Sequence, residues 1–175
     1  MRWGVLLLGL AACGEGRAIF NVDVLSFLAA EGSDTVHYTV PGGVSANVDM
    51  TPVEATMLSL ASEELDSVIV TLAADVENNA GAGSIAYEIY FGPDSATVYQ
   101  PAHRYAADTA VVSGADTAQL APPPIAVVGD TVFANQSVWV GVRAAVTANA
   151  GVPMDGRVRM TRLDLRIIAD VSSSP

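Results

Sequence analysis

Lysine is missing altogether, cysteine occurs once and histidine twice, and these scarcities remove most enzyme chemistries before any fold is considered. Without a lysine amine there is no Schiff base, no Ser-Lys dyad and no phosphate-binding P-loop. A single cysteine closes no disulfide within the chain, so the fold has to rest on an apolar core. A chain of 175 residues is long enough for that, since a domain near this size buries roughly 70% of its unfolded surface. Aromatic residues make up only 6% of the chain, few for the aromatic-lined cleft of a sugar-binding module. Positive charge is scarce as well. Eight arginines stand against 19 acidic residues, a net charge of −11, which makes nucleic acid a poor partner.

What is present begins with an address. Arg2 supplies a positive start, Trp3 to Leu10 an apolar run, and Ala11-Ala12 the small residues of a processing site, the pattern of an export signal. The run stops at Cys13-Gly14-Glu15, short of the roughly 20 apolar residues that span a bilayer. Leu10-Ala11-Ala12-Cys13 resembles the lipobox of bacterial lipoproteins. The resemblance covers residues 1–13 and implies that Cys13 is diacylated and becomes the mature N-terminus, leaving no free thiolate for catalysis. It further implies a signal peptide over 1–12, a lipidated tether over 13–18 and a domain held on the periplasmic side of the cell envelope. Either the inner or the outer membrane fits that anchor. Gly14, where an Asp retains some lipoproteins in the inner membrane, leans to the outer one. The folded domain then occupies 19–171, with a frayed tail over 172–175.

Beyond the leader the apolar period is mostly two. Phe20, Val22 and Val24 alternate with Asn21 and Asp23, and the phase then jumps to Leu25 and Phe27, a bulge or a strand end. Val36 to Val40 and Val44 to Met50 read as the next strands, divided by Pro41-Gly42-Gly43. Thr51-Pro52-Val53-Glu54 has the form of a capping box with proline at the first helical position, so the one helix is expected from there, with Leu58, Ala61 and Leu65 on one face. A loop with a short strand at Met57-Leu58-Ser59-Leu60 is the competing reading. Val68, Val70, Leu72, Ala74 and Val76 form one face of a long strand and Ile85, Tyr87, Ile89 and Phe91 that of the next, which together read as a hairpin turned at 78–83.

Weaker strands are expected at Ala96–Tyr99 and Ala110–Val112, and short pieces at Ile125–Val128 and Thr131–Ala134 after Pro122-Pro123-Pro124. The last pair is long. Val138 to Val146 alternates cleanly, the chain turns at Asn149 to Pro153, and Val158 and Met160 lie on the opposite phase from Leu163, Leu165 and Ile167. One extra residue must be absorbed near Thr161-Arg162, which predicts a bulge. Eight to ten short strands with at most one short helix point to an all-β antiparallel sandwich with one wet face per sheet; a closed β-barrel is the alternative.

Candidate chemistry is thin, and neither a catalytic set nor a cofactor is called for. His37 reads as a sheet-surface histidine, while His103 sits in a loop where a hydrolase would need it to meet a Ser and a carboxylate. Asp75, Glu77, Asn78 and Asn79 offer oxygen ligands without the spacing of a calcium loop, so a solvated acidic turn is the better reading and no metal is expected. Arg157, Arg159, Arg162 and Arg166 share an outward row once the bulge is allowed. They fit either a charged face paired with acidic neighbours such as Asp75 or Glu88, or a stripe that docks an acidic partner or anionic headgroups. These features point to a non-catalytic, membrane-anchored lipoprotein, an accessory or stabilising subunit of an envelope or membrane protein complex. A carbohydrate or small-ligand module, which would expose Trp139, Tyr90 and Tyr99 side by side, and a hydrolase built on His103 are the alternatives.

Overall fold

The computed structural model describes residues 17–57 and 65–170. The leader, Cys13, Leu58 and Ala61 of the expected helix, most of its competing strand and the C-terminal tail lie outside these residues. The strands are β1 (Arg17–Asp23), β2 (Thr35–Val40), β3 (Ser45–Asp49), β4 (Val53–Thr56), β5 (Leu65–Ala80), β6 (Ala82–Gly92), β7 (Arg104–Ser113), β8 (Asp116–Leu120), β9 (Ile125–Val128), β10 (Ser137–Ala148) and β11 (Met154–Asp170). One helix, α1 (Leu25–Ala30), lies between β1 and β2. Among the described residues no helix is long and apolar enough to cross a membrane.

All pairings are antiparallel and fall into two sheets. The first, sheet A, runs β1–β11–β5–β8, with β2 on β11 beyond β1 and β9 on β5 beyond β8. The second, sheet B, runs β3–β10–β6–β7, with β4 also on β10. Three edges are therefore each one strand position broken in two. Helix α1 interrupts β1/β2, Met50 to Pro52 interrupts β3/β4, and Pro122 to Pro124 interrupts β8/β9. Proline donates no ladder hydrogen bond, which explains two of the breaks. Among the described residues eleven strands thus occupy eight positions wired as a double-sheet jelly roll, an open sandwich and not a closed barrel.

This wiring corrects the expected hairpin. β5 and β6 lie in opposite sheets and face each other across the core, with Gly81 alone between them. Gly81 has φ +79°, a left-handed conformation that costs other L-residues energy. β10 and β11 are divided between the sheets in the same way. Four turns, at 41–44, 81, 114–115 and 149–153, consequently meet at one end of the sandwich. Gly114 N–H donates to the Gly81 carbonyl at 2.7 Å and Gly43 N–H to that of Ala148 at 3.1 Å. The Asn78 amide ties the same turns, donating to the Gly81 and Gly114 carbonyls at 3.2 and 2.6 Å and accepting from Tyr38 Oη at 3.0 Å.

Other local expectations change too. Thr51 to Glu54 starts no helix: Val53 and Ala55 are buried and Glu54 and Thr56 exposed, the period of strand β4. The helix stands instead where the phase jumps at Leu25, and Leu28 is its buried residue. Ala96–Tyr99 is a turn, because Asp94 accepts from Ala96 N, Thr97 N and Thr97 Oγ1 at 2.7 to 2.9 Å. Thr131–Ala134 is a 3-10 turn opened by Asp130, which accepts from Val132 N at 2.9 Å. Arg17 and Ala18, assigned to the tether, already belong to β1.

The core is as the alternation requires. Val68, Val70, Leu72, Ala74 and Val76 on β5, Ile85, Tyr87, Ile89 and Phe91 on β6 and Leu163, Leu165 and Ile167 on β11 all point between the sheets. The β11 register on β5 shifts between Met160 and Arg162, the site of the expected bulge, so Val158 and Leu165 both face inward. Phe91, Tyr105 and Phe133 meet at 5.2 to 5.5 Å between centroids and close the end opposite the glycine turns. Both described chain ends lie there as well, since Arg17 pairs with Asp170.

Candidate functional site

β11 carries its arginines on the outer face of sheet A, and the partners follow from register. Arg157 stands beside Glu77 and bonds it through Nε and Nη2 at 2.9 and 2.7 Å. Arg159 stands beside Asp75 at 3.8 Å, and Arg162 reaches Asp164 at 2.6 Å. Arg166 is exposed between Asn21 of β1 and Ile69 of β5, and no carboxylate lies within salt-bridge distance of it among the described residues. Three members of the row are thus ion-paired, and exposed pairs of this kind contribute about 0–1 kcal/mol each.

The same pairing disposes of the acidic cluster. Asp75, Glu77 and Asn79 point outward while Asn78, one residue out of phase, points into the sandwich, so the four never converge on one ion. Among the described residues no group of three or more His, Cys, Asp and Glu side chains could hold a metal. The segment is not a turn, because β5 continues through Ala80. Glu88 is not part of the arginine row: it lies on sheet B and pairs with Arg104 at 2.8 Å.

His37 is exposed on the outer face of β2 beside Arg157. The His103 ring bonds the Thr97 carbonyl through Nδ1 at 2.9 Å. Among the described residues neither a Ser nor a carboxylate hydrogen-bonds to it, so the triad geometry is not formed. The three aromatics considered for a sugar platform do not form an exposed row. Tyr90 is buried at 3% exposure and meets Tyr99 edge-on at 5.3 Å. Trp139 lines a separate shallow groove of about 480 Å³ with Glu31, Glu54, Met50 and Pro52.

A further polar cluster, among the described residues, involves side chains that strand phase alone does not bring together. On the outer face of sheet B, Arg143 grips Asp49 through Nε and Nη2 at 2.5 and 2.8 Å and donates from Nη1 to Tyr90 Oη at 3.2 Å. Tyr90 Oη donates to Glu88, which Arg104 also holds. The guanidinium carbon of Arg143 lies 4.9 Å from the Tyr99 ring centroid and 5.2 Å from that of Tyr90. The Asp49 carboxylate holds the Arg143 proton more firmly than usual. Two arginines balance two carboxylates here, so the cluster clamps the loop between β6 and β7 onto the sheet and leaves no reactive group over.

Two glycines make room for that loop. A Cβ on Gly141 would stand 2.8 Å from the Tyr99 ring, and one on Gly92 would stand 3.0 Å from Val98 Cα. Outward glycines on two long strands were the available signal, since such positions mark close backbone approach. Tyr99 then repairs the broken β3/β4 edge: its Oη accepts from Val142 N at 3.1 Å and lies 2.6 Å from the Met50 carbonyl. Removing the hydroxyl in Tyr99→Phe strands a buried donor and is expected to cost about 1–3 kcal/mol.

A pH signature accompanies that loss. Burial pushes Tyr99 up from its ordinary 10.0 to about 12, and burial with the nearby Asp155 does the same for Tyr38. Between those values the folded chain holds protons that the unfolded chain releases. The stabilisation is complete below pH 10 and is lost as pH rises towards about 12. Urea unfolding of wild type and Tyr99→Phe, at neutral pH and at about pH 11, checks both effects, with the variant showing the shallower alkaline decline.

No protein-family model and no curated protein matches the sequence. Solved structures are similar only distantly. Infectious bursal disease virus Gx strain gives a TM-score of 0.44 at 9% identity over 98% of this chain and 39% of that one. The VP2 subviral particle of the same virus gives 0.34 at 11% identity over 99% and 42%. Israeli acute paralysis virus gives 0.30 at 8% identity over 99% and 80%. The chain spans about two fifths of the length of the first two. Similarity at this level carries no functional implication.

Proposed function

We propose that the protein is a non-catalytic lipoprotein, anchored through Cys13, that serves as an accessory or stabilising subunit of an envelope or membrane protein complex. The observation that carries the reading is the lipobox-like Leu10-Ala11-Ala12-Cys13, which ends only a few residues before β1 begins at Arg17. From Cys13 to Arg17 the chain reaches at most about 14 Å. A domain on so short a leash works beside the bilayer and does not search outward for a distant ligand. Satisfied polar clusters on both sheets support a scaffold role over a chemical one, because neither the Arg157–Glu77 pair nor the Arg143–Tyr90–Glu88 network keeps a group poised for reaction. The arginine row remains the proposed docking stripe, and its paired members can exchange an internal carboxylate for a partner's.

Affinity isolation of the full-length protein from gently solubilised membranes tests the subunit role. A protein recovered in fixed stoichiometry, and lost when Arg157 and Arg159 are both replaced by Ser, is the expected result. Recovery of the lipoprotein alone at every detergent-to-protein ratio would remove the subunit role and leave only the anchor.

A further inference from the structure

Sheet A ends, on the side of the chain termini, in an outward row that is mostly apolar. Ile19 of β1 pairs with Ile168 of β11, that residue with Ser67 of β5, and Ser67 with Val128 of β9. Ile19 is 51% exposed and Val128 74% exposed, and Ile69 adds apolar surface one row further in, beside Arg166. Among the described residues the carboxylates near it have partners, arginines for Asp170, Asp66 and Asp164 and neutral donors for Asp23 and Asp130. Asp170 and Asp66 face Arg17 at 3.3 and 3.7 Å, Asp164 holds Arg162, Asp23 accepts from Ser26 N, and Asp130 is bonded to Tyr105 and Val132 N. In a chain of net charge −11, this margin sets Ile19, Ile168, Ile69 and Val128 beside Arg166, which has no carboxylate within salt-bridge distance among the described residues, with the ion-paired Arg17, Asp66 and Asp170 at its rim.

We infer that this margin is a bilayer-contact surface: Ile19, Ile168 and Val128 rest against phospholipid, and Arg166 meets lipid phosphate. The inference rests on the lipid-anchor reading, because the position of the margin relative to Cys13 selects the occupant. Ile19 lies two residues past Arg17, about 7 Å along the strand, and only six residues past Cys13 in the sequence. Guanidinium and phosphate are matched in geometry and charge, and Ile69 and Ile168 give Arg166 an apolar side while Asn21 and Asp164 flank the other. A contact of this size does not recruit the domain by itself. It acts once the lipid has raised the local concentration of bilayer to that of an intramolecular partner. Held so, sheet A leans on the membrane and the four glycine turns, with exposed Val44 and Val152, point away from it.

Val152 supplies a matched control, being 61% exposed at the far end. Val128→Cys and Val152→Cys are made separately in the acylated protein, whose Cys13 sulfur is blocked by lipid. Each is labelled with a nitrobenzoxadiazole dye and reconstituted on phosphatidylethanolamine–phosphatidylglycerol vesicles without other protein. The label at 128 should shift to the blue and be shielded from aqueous iodide, while the label at 152 does neither. Adding Arg166→Glu should reverse most of the shift at 128 without releasing the protein. Labels at 128 and 152 quenched alike on an acylated protein overturn the contact surface and leave the anchor standing. A shift at 128 seen only after membrane proteins are added also overturns it, in favour of a protein partner. An intact mass without lipid removes the anchor reading, and this inference falls with it.

Discussion

Leu165→Ala is expected to destabilise the domain by about 2–5 kcal/mol. Leu165 has no exposed surface, lies in the C-terminal half of β11 and is held by neighbours on both sides, pairing with Val22 of β1 and Val70 of β5. Truncation leaves a cavity that rigid flanking strands collapse into poorly. A native domain has only about 5–15 kcal/mol of stability to lose, so the loss is a large fraction of the total. The double change Arg162→Ser with Arg166→Ser is the counterpart. Both side chains are exposed and one exposed ion pair is lost, which places the expected effect within about 1 kcal/mol. Urea midpoints of the two variants separate inward from outward positions on the strand. A double arginine variant that unfolds while Leu165→Ala is tolerated would invert the phase of β11 and remove the bulge.

Gly81→Ala is expected to cost about 2–5 kcal/mol, combining the left-handed backbone penalty with overpacking. Its Cβ would stand 2.5 Å from the Pro153 carbonyl oxygen and 2.8 Å from Met154 Cα, both backbone atoms that no rotamer change can move aside. The clash exists because β5 crosses to the other sheet at Gly81, directly beneath the turn that takes β10 into β11. In a hairpin the residue would meet solvent and the cost would reduce to the backbone penalty alone. Gly114→Ala provides the reference, since Gly114 has φ +68° with nothing within 4 Å of the added carbon. Equal losses at 81 and 114 would argue against the crossing.

Phase was legible in the sequence, and sheet membership was not. Val68 to Val76 and Val138 to Val146 announce a buried side by alternation, and the slip between Met160 and Leu163 announces a bulge, because burial follows a period of two. The same alternation is produced whether consecutive strands pair or face each other. Nothing in Ile85 to Phe91 therefore distinguishes a hairpin with β5 from a crossing over the core. Short elements failed for a related reason. Val53 to Thr56 shows two buried and two exposed residues, too few to override the helix-start signal of Thr51-Pro52, and the six residues of α1 complete less than two turns. At the candidate site, the arginine row and its Asp75 partner could be read from strand phase. The Arg143 cluster could not, because Tyr99 reaches it from a loop that folds back over Gly92 and Gly141.

Anchoring through Cys13 is the claim on which the functional reading and the bilayer contact both depend. Intact-mass measurement of the protein purified from its own membranes, paired with fractionation of Cys13→Ser, tests it most directly. The expected result is a chain that begins at Cys13 and carries diacylglycerol, with the Cys13→Ser protein released from the membrane fraction. A chain that retains Met1, or an unmodified Cys13 on a protein that still sediments with membranes, would contradict it.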